Sequence, residues 1–171
     1  MTVVIAALVG FLAGRMLWLA MRRTWSRQPF LRSNYQGTAI PTAAGAAIGI
    51  ALVVVEALRS VIGATGSADH AGLTPGRAAG LIAVLGFSVL GAVADLTGPG
   101  SDGGRKGLGG HLKSLASGHL TGSAVRFLGG AAVSIVAASV LAPLHLGALV
   151  MDAAIIGLTA NLVRIVDVRP G

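Results

Sequence analysis

The stretch LRSNYQGTAIPTAAGAAIGIALVVV, residues 31–55, begins as a polar loop and ends as an apolar helix. No charge lies between Arg32 and Glu56, yet the apolar run is entered through Gly37-Thr38-Ala39-Ile40-Pro41-Thr42. A simple lipid anchor needs only apolar residues and a basic flank. A polar, proline-containing approach must therefore build something more than an anchor.

Composition identifies the solvent. Of 171 residues, 54% are hydrophobic and 11% charged, with a mean hydropathy of +0.80. Soluble domains carry about 25% charged residues, so this chain cannot clothe a core in polar surface, and lipid is the expected surrounding. The formal charge of +7 accompanies only 4% aromatics. Its basic residues lie in short pieces between apolar runs, a pattern of membrane topology rather than nucleic-acid binding. With no cysteine, disulfides and thiolate metal sites are excluded.

Five apolar runs, residues 3–21, 40–64, 78–96, 122–141 and 146–166, are long enough to cross a bilayer, which takes roughly 20 helical residues. The sequence thus predicts one all-α membrane domain over 1–171, a polytopic bundle of about five transmembrane helices. Arg22, Arg23, Arg27 and Arg32 follow the first run, Arg105, Lys106 and Lys113 follow the third, and Arg164 and Arg169 mark the end of the fifth. Basic loops are retained in the cytoplasm. Hence loops 22–39 and 97–121 are expected inside, with the N-terminus outside and the C-terminus cytoplasmic. The first run lacks basic residues before it and reads as an anchor, not a cleavable signal. Gly10…Gly14 and Gly45…Gly49 are GxxxG pairs, expected at close helix seams.

Three polar clusters fall at the expected cytoplasmic helix ends. Asn34-Tyr35-Gln36-Gly37-Thr38 with Pro41-Thr42 opens the second helix; Gly91 to Asp95 closes the third, before SDGGRKGLGGHLKSL; Asn161, Arg164 and Asp167 close the fifth. Steps of three and six put that last trio on one broad helical face. Asp95 and Asp167 are hard oxygen donors suited to Mg²⁺, and Arg105, Lys106, Lys113 and Arg164 suit phosphate oxygens. Together they fit phosphoryl transfer between a soluble nucleotide and a lipid. The residues alone leave another reading open: basic loops need no ligand, and either aspartate could pair with an arginine. Glu56 is expected to pair with Arg59 or to snorkel, and His145 shows no evident partner.

In order, spacing and topology these clusters resemble the polyprenyl-phosphate N-acetylhexosamine-1-phosphate transferases, the superfamily of phospho-N-acetylmuramoyl-pentapeptide transferase. There a G-T-P-T-x-G-G type segment opens helix two, as Gly37 to Gly45 does here. A GxxDD segment closes helix three, matched by Gly91 to Asp95 except at Ala94. A basic Gly-Leu loop follows, matched by Lys106-Gly107-Leu108 and Lys113. An NxxNxxD segment closes helix five, matched by Asn161 and Asp167 with Arg164 between. The resemblance implies transfer of a sugar-1-phosphate from a UDP-N-acetylhexosamine to a polyprenyl phosphate such as undecaprenyl phosphate, releasing UMP, with Mg²⁺, in cell-wall biogenesis. It implies catalytic and metal-binding roles for Asp95 and Asp167. Substrate contacts are implied for Asn34, Gly37, Thr38, Thr42, Lys106, Lys113, Asn161 and Arg164.

Two departures bear on activity. Ala94 stands where the family has a first carboxylate, and Arg164 replaces a neutral amide. Family members also have about twice as many helices, so the chain corresponds to their front half. A fragment, a homo-oligomer or partner supplying the remaining helices, and a short divergent relative are the three expectations. The alternative to an enzyme is a catalytically impaired relative that binds a lipid phosphate or another membrane protein.

Overall fold

The computed structural model describes residues 3–34, 36–42, 45–66, 72–97, 122–141 and 144–166. Helix α1 (Val3–Trp25) is followed by a small antiparallel ribbon, β1 (Leu31–Ser33) and β2 (Ala39–Pro41). Four helices complete the order: α2 (Ala46–Ala64), α3 (Pro75–Thr97), α4 (Gly122–Val140) and α5 (Leu146–Val166). The fold is helical, and α1, α2 and residues 75–93 of α3 are each long and apolar enough to cross a membrane, with mean hydropathies of 2.1, 2.0 and 1.8. The shorter apolar stretches Val125–Val140 and Leu146–Leu162 lie in α4 and α5.

The extensive helix contacts run between sequence neighbours: α1 with α2, α2 with α3, α3 with α4, and α4 with α5. Contacting residues show that the pairs are antiparallel. Gly49 meets Leu85 and Ser88 while Glu56 meets Arg77, so numbers rise along α2 as they fall along α3. Likewise Gly86 meets Val133 and Gly129 meets Leu90. The helices therefore form a row of successive pairs, and α1 and α5 end that row with one well-packed neighbour each.

The distribution of side-chain size is the reverse of that in a soluble core. Buried positions are mostly small: Ala47, Ala51, Ala79, Ala137, Ala138, Ala153 and Ser134, with Ala137 wholly covered. Large apolar residues lie outside, among them Phe11 at 70% exposure, with Phe127, Leu158 and Ile48 similarly bare. Water would penalise such a surface by about 25 cal/mol per Å² of apolar area. Lipid does not, and there close approach of small residues supplies the packing.

Glycine approach is selective. A Cβ built on Gly10 would lie 3.5 Å from Val55 and one on Gly49 3.2 Å from Leu85, whereas one on either GxxxG partner, Gly14 or Gly45, would meet nothing within 4 Å. The tightest seam is elsewhere. A Cβ on Gly86 would lie 2.6 Å from Val133, and one on Gly129 would lie 2.6 Å from Leu90.

Several local expectations are corrected. Helix α2 starts at Ala46, not at residue 40, because residues 39–41 pair with residues 31–33. Pro41 thus ends an edge strand, where its missing N–H costs no ladder bond, and does not open a helix. Thr42 extends the ribbon: its N–H and hydroxyl both donate to the Phe30 carbonyl, at 2.7 and 2.9 Å. Helix α3 starts three residues earlier than expected, at Pro75, a residue preorganised for the first helical position, behind Thr74, whose hydroxyl accepts the Arg77 N–H at 3.4 Å. That early start brings Arg77 opposite Glu56, and these two form the ion pair expected between Glu56 and Arg59. His145 also has a function: its Nδ1 accepts the Ala148 N–H at 3.0 Å and caps α5.

Candidate functional site

Because the helices alternate in direction, one end of the row gathers the C-terminus of α1, the ribbon, the N-terminus of α2, the C-terminus of α3, the N-terminus of α4 and the C-terminus of α5. All described candidate residues lie on these segments. Asn34, Gly37, Thr38 and Thr42 belong to the ribbon and its loop, Asp95 is third from the end of α3, and Asn161 and Arg164 lie in the last two turns of α5.

The ribbon residues are strongly used by the fold. The Asn34 side-chain oxygen accepts the N–H groups of Gln36 and Thr38, both at 2.9 Å. The Asn34 N–H donates to the Thr38 carbonyl, and Gly37 sits at φ +78°, a left-handed conformation that favours glycine. Thr42 spends its hydroxyl on Phe30. Of this group, Thr38 keeps a side chain exposed to solvent and free of the loop's own bonds. Asparagine and threonine here first make a rigid loop; contact with a ligand would come from what that loop presents.

Asp95 and Arg126 lie on the adjoining helices α3 and α4 at this end. Both are half-buried, and both have interaction partners. Gly86 opposite Val133 and Leu90 opposite Gly129 fix the α3–α4 register. It sets Arg126 level with Val93, two residues or about 3 Å along the axis from Asp95.

Asn161 and Arg164 are on the far side of α4. The contact of Gly157 with Ser134 sets Arg164 level with Phe127, one residue or about 1.5 Å along the axis from Arg126. The Arg164 and Ala94 side chains fall outside the described part, as do residues Lys106, Lys113 and Asp167. Along the axis Asp95 is thus about 4.5 Å from Arg164 and about 9 Å from Asn161, and they sit on helices separated by α4, with interaxial steps of about 8–10 Å each. Among the described residues no three acidic or histidine side chains gather to hold a metal. Asp95 is the described carboxylate among the candidate residues at this end, and one carboxylate suits a cation that keeps several waters and takes other ligands from phosphates, the habit of Mg²⁺.

Three charged residues received little weight in the sequence. Arg15 is exposed in the middle of α1 and Asp152 is half-buried in α5, and neither has a polar partner among the described residues. A lone charge within an apolar run was the available sign. Arg77, near the start of α3, binds Glu56 through Nε at 3.2 Å and through Nη2, and donates from Nη1 to the Gly72 carbonyl at 3.0 Å. No protein-family model, curated protein or solved structure matches the chain.

Proposed function

We propose that the chain is a multi-pass protein of the cell membrane that transfers a sugar-1-phosphate from a UDP-N-acetylhexosamine to a polyprenyl phosphate. In this reading all five helices span the bilayer and the polar end faces the cytoplasm. The observation that carries it is the coincidence, at one end of the helix row, of Asp95, Arg126, Asn161 and the rigid Asn34–Thr42 loop. An oxygen of the lipid phosphate would form a bond to the sugar-bearing phosphorus, and UMP would leave with the bridging oxygen. Cations such as Arg126 and Arg164 would hold phosphate oxygens in line. Asp95, with Asp167, would hold Mg²⁺, which when bound neutralises developing phosphate charge.

A second reading, a non-catalytic lipid-phosphate-binding or protein-interacting subunit, is favoured by Ala94 and by the use of Asn34 and Thr42 in the ribbon. One assay separates the two. Full-length protein is incubated with a UDP-N-acetylhexosamine, undecaprenyl phosphate and Mg²⁺, and UMP is measured. The transferase reading expects release that Asp95→Asn abolishes. Absence of UMP from folded protein, or undiminished release by Asp95→Asn, refutes it.

A further inference from the structure

The inner end of α1 carries charge that neither the fold nor the proposed reaction uses. Its last turn contains Arg22 and Arg23, and Ser26 and Arg27 follow in a turn closed by the Ser26 hydroxyl on the Arg22 carbonyl at 2.7 Å. Arg22, Arg23, Ser26 and Arg27 line a shallow, open depression of about 450 Å³ on the protein surface. None of the three guanidinium groups bonds or pairs with a described residue. Each guanidinium has five N–H donors. A helix C-terminus accounts for only about half a negative charge, which leaves a surplus of well over two positive charges around one hollow.

The depth of this hollow follows from its neighbours. Trp18 and Trp25 stack at the same end of α1 with ring centroids 5.3 Å apart, and Trp25 is 3% exposed. Tryptophan concentrates where hydrocarbon meets headgroups. The arginines beside and beyond Trp25 therefore stand at the level of lipid phosphates. No residue of α1's spanning window is buried and α2 is its one well-packed neighbour, so lipid reaches the hollow from the open side. Guanidinium forks bind phosphate oxygens bidentately.

We propose that the Arg22, Arg23 and Arg27 hollow binds the phosphate of an anionic membrane lipid, entering laterally along the open face of α1. This site lies on the end helix of the row, and its occupancy does not depend on the transferase reading.

The chain's two tryptophans both flank the hollow, so their fluorescence reports on it. Full-length protein is reconstituted in vesicles containing phosphatidylglycerol or phosphatidylcholine brominated near the headgroup, and quenching gives relative association constants. Brominated phosphatidylglycerol is expected to quench at several-fold lower mole fraction. Each arginine is worth about five-fold at low salt, so Arg27→Gln cuts the preference about five-fold and the triple R22Q/R23Q/R27Q variant removes it. Arg59→Gln, near the far end of α2, leaves it intact. Equal quenching by both lipids, or a preference that survives the triple variant, overturns the proposal. Abolition of the preference by soluble glycerol phosphate also overturns it, because the ligand would then be a free phosphate. Should the triple variant lose helicity, Arg27→Gln decides alone, since residue 27 lies beyond α1.

Discussion

The Glu56–Arg77 pair predicts a measurable coupling between α2 and α3. Their side chains are 15% and 20% exposed, and both carboxylate oxygens are engaged, by Nε and Nη2 of one guanidinium. Removing one partner of a buried pair costs about 3–5 kcal/mol, whereas exposed pairs are worth about 1 kcal/mol or less. At this burial Glu56→Gln or Arg77→Gln should each destabilise by about 2–3 kcal/mol. The double variant should cost clearly less than the sum of the two, because neither residue is left with an uncompensated charge. Arg59→Gln should cost under about 0.5 kcal/mol, as expected of a change away from a special feature. The assay is reversible unfolding in mixed micelles of increasing sodium dodecyl sulfate, followed by circular dichroism. Additive single and double effects, or an Arg59→Gln effect as large as that of Arg77→Gln, would refute the reasoning.

Three further outcomes are expected. Gly86→Ala should destabilise by about 1–3 kcal/mol, because Val133 is stiff in a helix and cannot retreat, while Gly129→Ala should cost less than half as much because the flexible end of Leu90 can move; the same unfolding assay compares them. Asp152→Leu should raise stability by about 1 kcal/mol, since a carboxylate with no partner among the described residues of an apolar helix is a cost, and a loss instead would show that this acid has a partner. Asn34→Ala removes the acceptor of two loop N–H groups, each worth about 0.5–1.5 kcal/mol; amide exchange at Gln36 and Thr38 should accelerate at least several-fold.

The helices were legible because apolar length is a direct physical requirement of the bilayer. The ribbon was not. Three-residue strands carry no periodicity, and the apolar Ala39 and Ile40 read as continuous with α2 until Pro41 and Thr42 are seen paired to the segment around Leu31. The partner of Glu56 was misassigned for a related reason. Arg59 is near in sequence, but Thr74 and Pro75 start α3 early enough to present Arg77 across the seam. For the candidate site, the sequence identified which residues occupy the polar end, since helix alternation follows from the spans. It could not give their lateral separation. That depends on how the row of helices is packed, and α4 stands between Asp95 and Asn161.

The same ion pair has a consequence for biogenesis. Glu56 and Arg77 are 21 residues apart and belong to consecutive apolar helices. Released singly into hydrocarbon, each helix would carry an uncompensated charge, costing up to about 2.5–3.5 kcal/mol for Glu56 near the middle of α2 and less for Arg77 at the start of α3. Delivered together they are electrically neutral. A nascent chain is therefore better served by holding α2 at the insertion machinery until α3 has emerged, so that the two leave it as one folded hairpin.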